Sequence, residues 1–162
     1  MNVRPIDRSV VMAGRWIVIF SILICGILLG AAREFMFLNL NYQIDFVANN
    51  RADNYAHSLF QNWVDGASLF NLVFIKWILA FAFAGSMCTL SIILLLKLFG
   101  DHRYTKFVVI GFILLGLLAM VLHFLSASIP ALTGVSIKLL HLIQYPVLLF
   151  FIWAGAGLVK PR

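Results

Sequence analysis

Arg33-Glu34-Phe35-Met36-Phe37-Leu38-Asn39-Leu40-Asn41-Tyr42-Gln43-Ile44-Asp45-Phe46-Val47 is the stretch on which the fold turns. It follows a wholly apolar run and opens the one long polar segment of the chain, residues 33–68. From Leu38 to Phe46 apolar and polar residues alternate: Leu38, Leu40, Tyr42, Ile44 and Phe46 against Asn39, Asn41, Gln43 and Asp45. A period of two gives an extended segment one apolar and one polar face. On this reading the first helix stops at residue 32 and the segment is extended: either a strand that pairs with a partner's sheet edge or, favoured because a lone strand has nothing in this chain to pair with, a strip lying apolar side down over the end of the bundle.

Outward from that stretch the chain is greasy. Its 162 residues are 63% hydrophobic and 11% charged, with mean hydropathy +1.02. Soluble domains are about 45–50% apolar and about 25% charged, so the excess points to lipid as the solvent. Four apolar runs are predicted as membrane-spanning helices, at 16–32, 69–99, 107–127 and 136–159. The second contains an uncharged core from Trp77 to Leu96, 20 residues, about the number that crosses ~30 Å of hydrocarbon. The first run resembles the apolar region of a signal peptide, but Arg33-Glu34 follows it directly and three more runs come later, so a retained helix is expected. Pro130 disfavours helix at Ile129 and marks the turn before the last run. The expected architecture is an all-α, four-helix transmembrane bundle forming a single domain over 1–162.

Lys and Arg positions set orientation. Arg4, Arg8 and Arg15 precede the first run, Lys97, Arg103 and Lys106 flank the turn between the second and third, and Lys160 and Arg162 follow the fourth. All three segments fall on one side of an even-numbered bundle. Both termini are therefore expected in the cytoplasm and the long loop outside. The net charge of +6 is explained by this placement and implies no nucleic-acid partner. The absence of an Asn-x-Ser/Thr sequon and the short turns lean towards a bacterial inner membrane.

Within the loop, Tyr55, Ala56, Leu59, Phe60, Trp63 and Val64 recur with helical period across 53–64, with Asn49, Asn50 or Asp53 as caps. A short helix lying in the interface is predicted there, with aromatic side chains at headgroup level. Tyr42, Phe46, Tyr55, Phe60 and Trp63 are the candidate docking residues.

Ionisable and polar groups gather at the outer end of the bundle: Arg33, Glu34, Lys76, His123, Lys138, His141, Gln144 and Tyr145. Such groups are costly at membrane depth and face protein or water. Three uses compete: internal ion pairing, with Glu34 meeting Arg33, Lys76 or Lys138; a site for an anionic lipid headgroup or carboxylate; and haem b held between His123 and His141. No cofactor is required by any motif.

Cys25 and Cys88 lie inside apolar runs with no Cys-x-x-Cys or zinc-ligand spacing, so no disulfide framework and no metal are expected. No nucleophile–base constellation, phosphate-cradling loop or mid-membrane glutamate is present, and no catalytic residue is assigned. The function expected is that of a small membrane subunit or accessory factor docking through its outer loop and helix faces onto other integral membrane proteins. A lipid- or small-anion-binding protein, carrier or enzyme, is the alternative, and a haem-bearing electron-transfer subunit the third.

Overall fold

A computed structural model describes residues 8–158; the basic tails at 1–7 and 159–162 lie outside it, and with them part of the basic pattern from which the orientation is expected. The order is α1 (Arg8–Ala48), α2 (Ser58–Trp63), α3 (Leu69–Phe99), a 3₁₀ turn (His102–Tyr104), α4 (Thr105–Leu125), α5 (Ala131–Gln144) and α6 (Val147–Leu158). Every element among the described residues is a helix. Three helices are long and apolar enough to cross a membrane, and four spans result if α5 and α6 count as one broken span.

The largest departure from expectation is α1. It does not stop at 32 but runs 41 residues, about 62 Å at 1.5 Å per residue. The 38–47 segment is helix, not an extended strip. Its alternating pattern also contains a helical one: Met36, Leu40, Ile44 and Val47 pack into one apolar cluster, while Leu38 and Tyr42 stay exposed. In a strand Leu38, Leu40, Tyr42 and Ile44 would share a face. The helix splits them, and contact with α3 and the loop above decides the outcome. Asn50 ends α1 in the left-handed region (φ 45°), and the Arg51 amide reaches back to the Phe46 carbonyl at 3.2 Å, a Schellman-type stop. Asn49 and Asn50 thus close α1 instead of opening α2. The cap of α2 is His57, whose ring accepts from the Leu59 amide.

α3 has the bounds expected of it. Ser68 caps its start through the Asn71 amide, and Gly100 at φ 69° takes the left-handed C-cap position that a side chain would strain. Arg15 donates to the Leu98 carbonyl at the same end, where a cation meets the negative pole of the helix. The expected span at 136–159 instead starts at 131 and breaks. Tyr145 is extended (ψ 158°), as a residue before proline prefers, and α5 and α6 meet at 56° across Tyr145-Pro146.

α3 is the central helix. It packs on α1, α4, α5 and α6, and α4 lies along α5. Two apolar clusters result. Ile19, Ile22, Leu23, Met87, Leu94 and Leu149 join α1, α3 and α6. Leu40, Ala56, Phe60, Val64 and Leu72 join α1, α3 and the 51–68 segment, hereafter the cover. Phe60, 2% exposed, is the anchor of the cover, and burying such a ring is worth about 1.5–3 kcal/mol.

Hydrogen bonds hold the cover in register. Asn39 and Gln43, one turn apart and buried, receive the His57 amide and the Asn54 amide group, each at 2.6 Å. Replacing Asn39 by Ala leaves the His57 N–H without its partner, a cost of about 1–2 kcal/mol. Because the loss is local, trypsin cleavage after exposed Arg51 is expected to accelerate about tenfold in folded protein, with global unfolding little changed. An unchanged cleavage rate contradicts this account of the cover.

Candidate functional site

The site lies between the two apolar clusters, where α1 meets the break between α5 and α6. Gly26, Gly30, Arg33 and Phe37 fall at i, i+4, i+7 and i+11 on one face of α1. The two glycines let the bent α5–α6 pair approach. A Cβ on Gly30 would stand 3.1 Å from Pro146 Cδ, and one on Gly26 would stand 2.5 Å from Leu149 Cδ1. Gly26 and Gly30 form a Gly-x-x-x-Gly pair, the small-residue spacing of close helix contacts. This signal was legible in the sequence and was missed.

Above Gly30, Arg33 is 5% exposed and its guanidinium donates through two of its three nitrogens. Nε donates to Gln144 Oε1 at 3.2 Å, and Nη1 donates to Glu34 Oε2 and to the Tyr145 hydroxyl, each at 3.1 Å. The Tyr145 hydroxyl also donates to Glu34. The guanidinium carbon sits 4.6 Å from the Phe37 ring centroid and 4.8 Å from that of Tyr145, so aromatic faces cover the cation. Gln144, 1% exposed, turns its amide group to the Ala80 carbonyl of α3 at 3.1 Å. One arginine thereby ties α1 to both residues at the break, and through Gln144 to α3. The unequal burial of the ion pair decides its character: the Arg33 side chain is 6% exposed and that of Glu34 59%. Glu34 is the half of the pair that solvent or headgroups reach.

The other expected members do not converge on this point. Lys76 leaves α3 to donate to Asn41 Oδ1 at 2.7 Å, bridging α3 to the far part of α1. Lys138 is exposed on α5, and no ion pair or hydrogen bond of its side chain occurs among the described residues. His123 lies edge-on to Trp77 at 5.5 Å, whereas His141 meets the Tyr145 ring at 5.5 Å. The two histidines thus serve different neighbours. The three cations sit in three settings: clamped, bridging and free. Among the described residues no group of three His, Cys, Asp or Glu is arranged to hold a metal ion.

Of the candidate docking residues, Tyr42, Tyr55 and Trp63 are exposed, the last two at 68% and 69%, and Phe46 is half-buried. Phe60 points inward and is part of the cover's core. Leu59, 60% exposed, replaces it on the outer face. The Tyr42 and Tyr55 rings, 6.2 Å apart, make the patch continuous from α1 to the cover.

Chemically, the arrangement is a clamp. It carries an exposed carboxylate and a half-buried phenol that donates to it, both backed by a buried cation. Comparison with known proteins returned no matching family, no similar curated protein and no similar solved structure.

Proposed function

We propose that this chain is a small multi-pass subunit or accessory factor of a larger membrane assembly, and that the cover is its docking surface. The observation that carries the reading is the division of the cover into an anchored underside and an apolar outer face. Phe60 and Val64 are buried, while Tyr55, Leu59 and Trp63, at i, i+4 and i+8, stand 60–69% exposed. Contiguous exposed aromatic surface on a rigid support is the composition of a binding hot spot. The support is held by the Asn39 and Gln43 hydrogen bonds, so little ordering cost remains on association.

The polar layer fits the same role. Arg33 and Lys76 are spent on internal contacts that strengthen the frame, and Lys138 stands exposed, so the three cations do not surround one anion. In this reading the cover faces the outside of a bacterial inner membrane and both termini the cytoplasm, since Lys97, Arg103 and Lys106 lie at the opposite end of α3 and α4.

Purification from the native membrane in mild detergent tests it. The parent chain is expected to elute with a stoichiometric protein partner, and Leu59→Ser/Trp63→Ala is expected to lose that partner by about tenfold or more in affinity without a shift in its own melting temperature. A lone monomer from the parent membrane removes the proposal. A Soret band in the purified material would replace it with the haem reading.

A further inference from the structure

On the side of α3 away from α1, the helices α3, α4 and α5 enclose a cavity of about 360 Å³. Its floor is Ala119 and Ile143, both buried. Its width comes from two glycines. A Cβ added to Gly85 meets nothing within 4 Å, and one on Gly116 meets only Ile143 Cδ1 at 3.9 Å. The glycines here separate from the neighbouring helix, the reverse of Gly26 and Gly30. Along α3 the lining runs from Trp77 to Cys88, about 16 Å at 1.5 Å per residue.

That length has a meaning in a bilayer. Trp77 opens the uncharged run that ends at Leu96, so it sits at one boundary of the hydrocarbon, and Cys88 sits near its middle. Half of a ~30 Å core is about 15 Å, the thickness of one leaflet. The lining is apolar except at the boundary end, where the Trp77 indole and the His123 imidazole stand 5.5 Å apart. The deep part offers water none of the two to four polar partners it needs. A single hydrocarbon chain matches that length and the apolar lining, and its ester end matches the Trp77–His123 end.

We propose that this groove seats one acyl chain of a membrane phospholipid from the leaflet on the cover side. The chain lies along α3 with its end near Cys88, and the ester or phosphate oxygens take hydrogen bonds from Trp77 Nε1 and His123 at the mouth. The site is independent of the docking face, which is on the cover, and stands or falls separately from it.

Photo-labelling decides the matter. The full chain is reconstituted into phosphatidylethanolamine/phosphatidylglycerol liposomes doped with phosphatidylethanolamine bearing a diazirine at the distal end of one acyl chain. After irradiation, adducts are expected to concentrate at Cys88 and Val109. Gly85→Leu, which fills the groove, is expected to lower them about tenfold, about 1.4 kcal/mol, while labelling at Leu114, on the exposed face of α4, stays constant. Gly116→Leu serves as a second filling variant, and the circular dichroism spectrum of each variant establishes that it is folded. Even labelling along α4 that Gly85→Leu leaves unchanged overturns the proposal. A diazirine fatty acid that labels Cys88 more strongly than the phospholipid also overturns it and names a free acid as the occupant.

Discussion

Gly30→Leu is expected to unfold in mild detergent at a markedly lower temperature than the parent, whereas Gly85→Leu is expected to match or exceed it. Both changes place the same side chain in the middle of a long helix, and both gain helix propensity, about 0.8–1 kcal/mol for leaving glycine. Their surroundings differ. At Gly85 there is open room. At Gly30 the new Cβ would stand 3.1 Å from Cδ and 3.7 Å from Cγ of Pro146, and 3.8 Å from the Tyr145 ring. Proline cannot turn aside, because its ring is fused to the backbone at the break. The only relief is to move α1 away from α6, which also pulls Arg33 from Gln144 and Tyr145. Overpacking of this kind costs about 1–3 kcal/mol, and loss of the clamp brings the expected total to the upper end or beyond. Gly26→Ala separates the two contributions. Its 2.5 Å clash is with the tip of the flexible Leu149 side chain, which has other rotamers, so a smaller loss is expected there. Equal melting temperatures for Gly30→Leu and Gly85→Leu would show that α1 and the broken span are not in close contact.

The contrast between those glycines shows what the sequence could and could not tell. Hydropathy gathered eight polar groups at one end of the bundle, and the structure brings four of them, Arg33, Glu34, Gln144 and Tyr145, together. The ends of α3 were legible because Ser68 and Gly100 are local signals that act through their own backbone. The direction in which each side chain points around its helix was not, because it depends on which helices are neighbours. Lys76 shared the level of Arg33 but turns to Asn41, and His123 turns to Trp77 instead of His141. The course of 38–47 was ambiguous for a related reason. Its residues satisfy both a period of two and a period of 3.6. The tie is broken by Leu72, Phe60 and Val64, distant in sequence, which give Leu40 a place to be buried. Pro146 lacks the N–H that would continue the helix, and the break at this point reorganises the site. It sets Gln144 and Tyr145 on two sides of the guanidinium, a geometry that one continuous helix does not offer.

Arg33→Met is the second change expected to have a large effect, and the manner of its rescue is the sharper test. Methionine keeps the length and apolar bulk of the arginine stem. What is lost is a fork of donors and two aromatic contacts. Gln144, 1% exposed, is left with an unpaired carbonyl oxygen inside the bundle, which costs about 1–3 kcal/mol. The faces of Phe37 and Tyr145 lose their cation, at about 0.5–1 kcal/mol each. Glu34 suffers less, since its side chain is 59% exposed and regains solvent or headgroup contacts. The sum is about 2–5 kcal/mol, read as a lower unfolding temperature or urea midpoint. Arg33→Lys is expected to recover only part of this, because an ammonium lacks the planar fork that reaches Gln144 on one edge and Glu34 with Tyr145 on another. The decisive variant is Arg33→Met/Gln144→Leu. If the penalty comes chiefly from the stranded Gln144 oxygen, removing that oxygen together with its donor relieves it. The Ala80 carbonyl, which loses the Gln144 amide, lies within α3 and keeps its place in the helix ladder. The double variant is therefore expected to be more stable than Arg33→Met alone, although it carries one more substitution in the core. Additive losses would instead mean that Arg33 acts through its charge on the whole layer, and the clamp at the break would have to be redrawn around Glu34 and Tyr145.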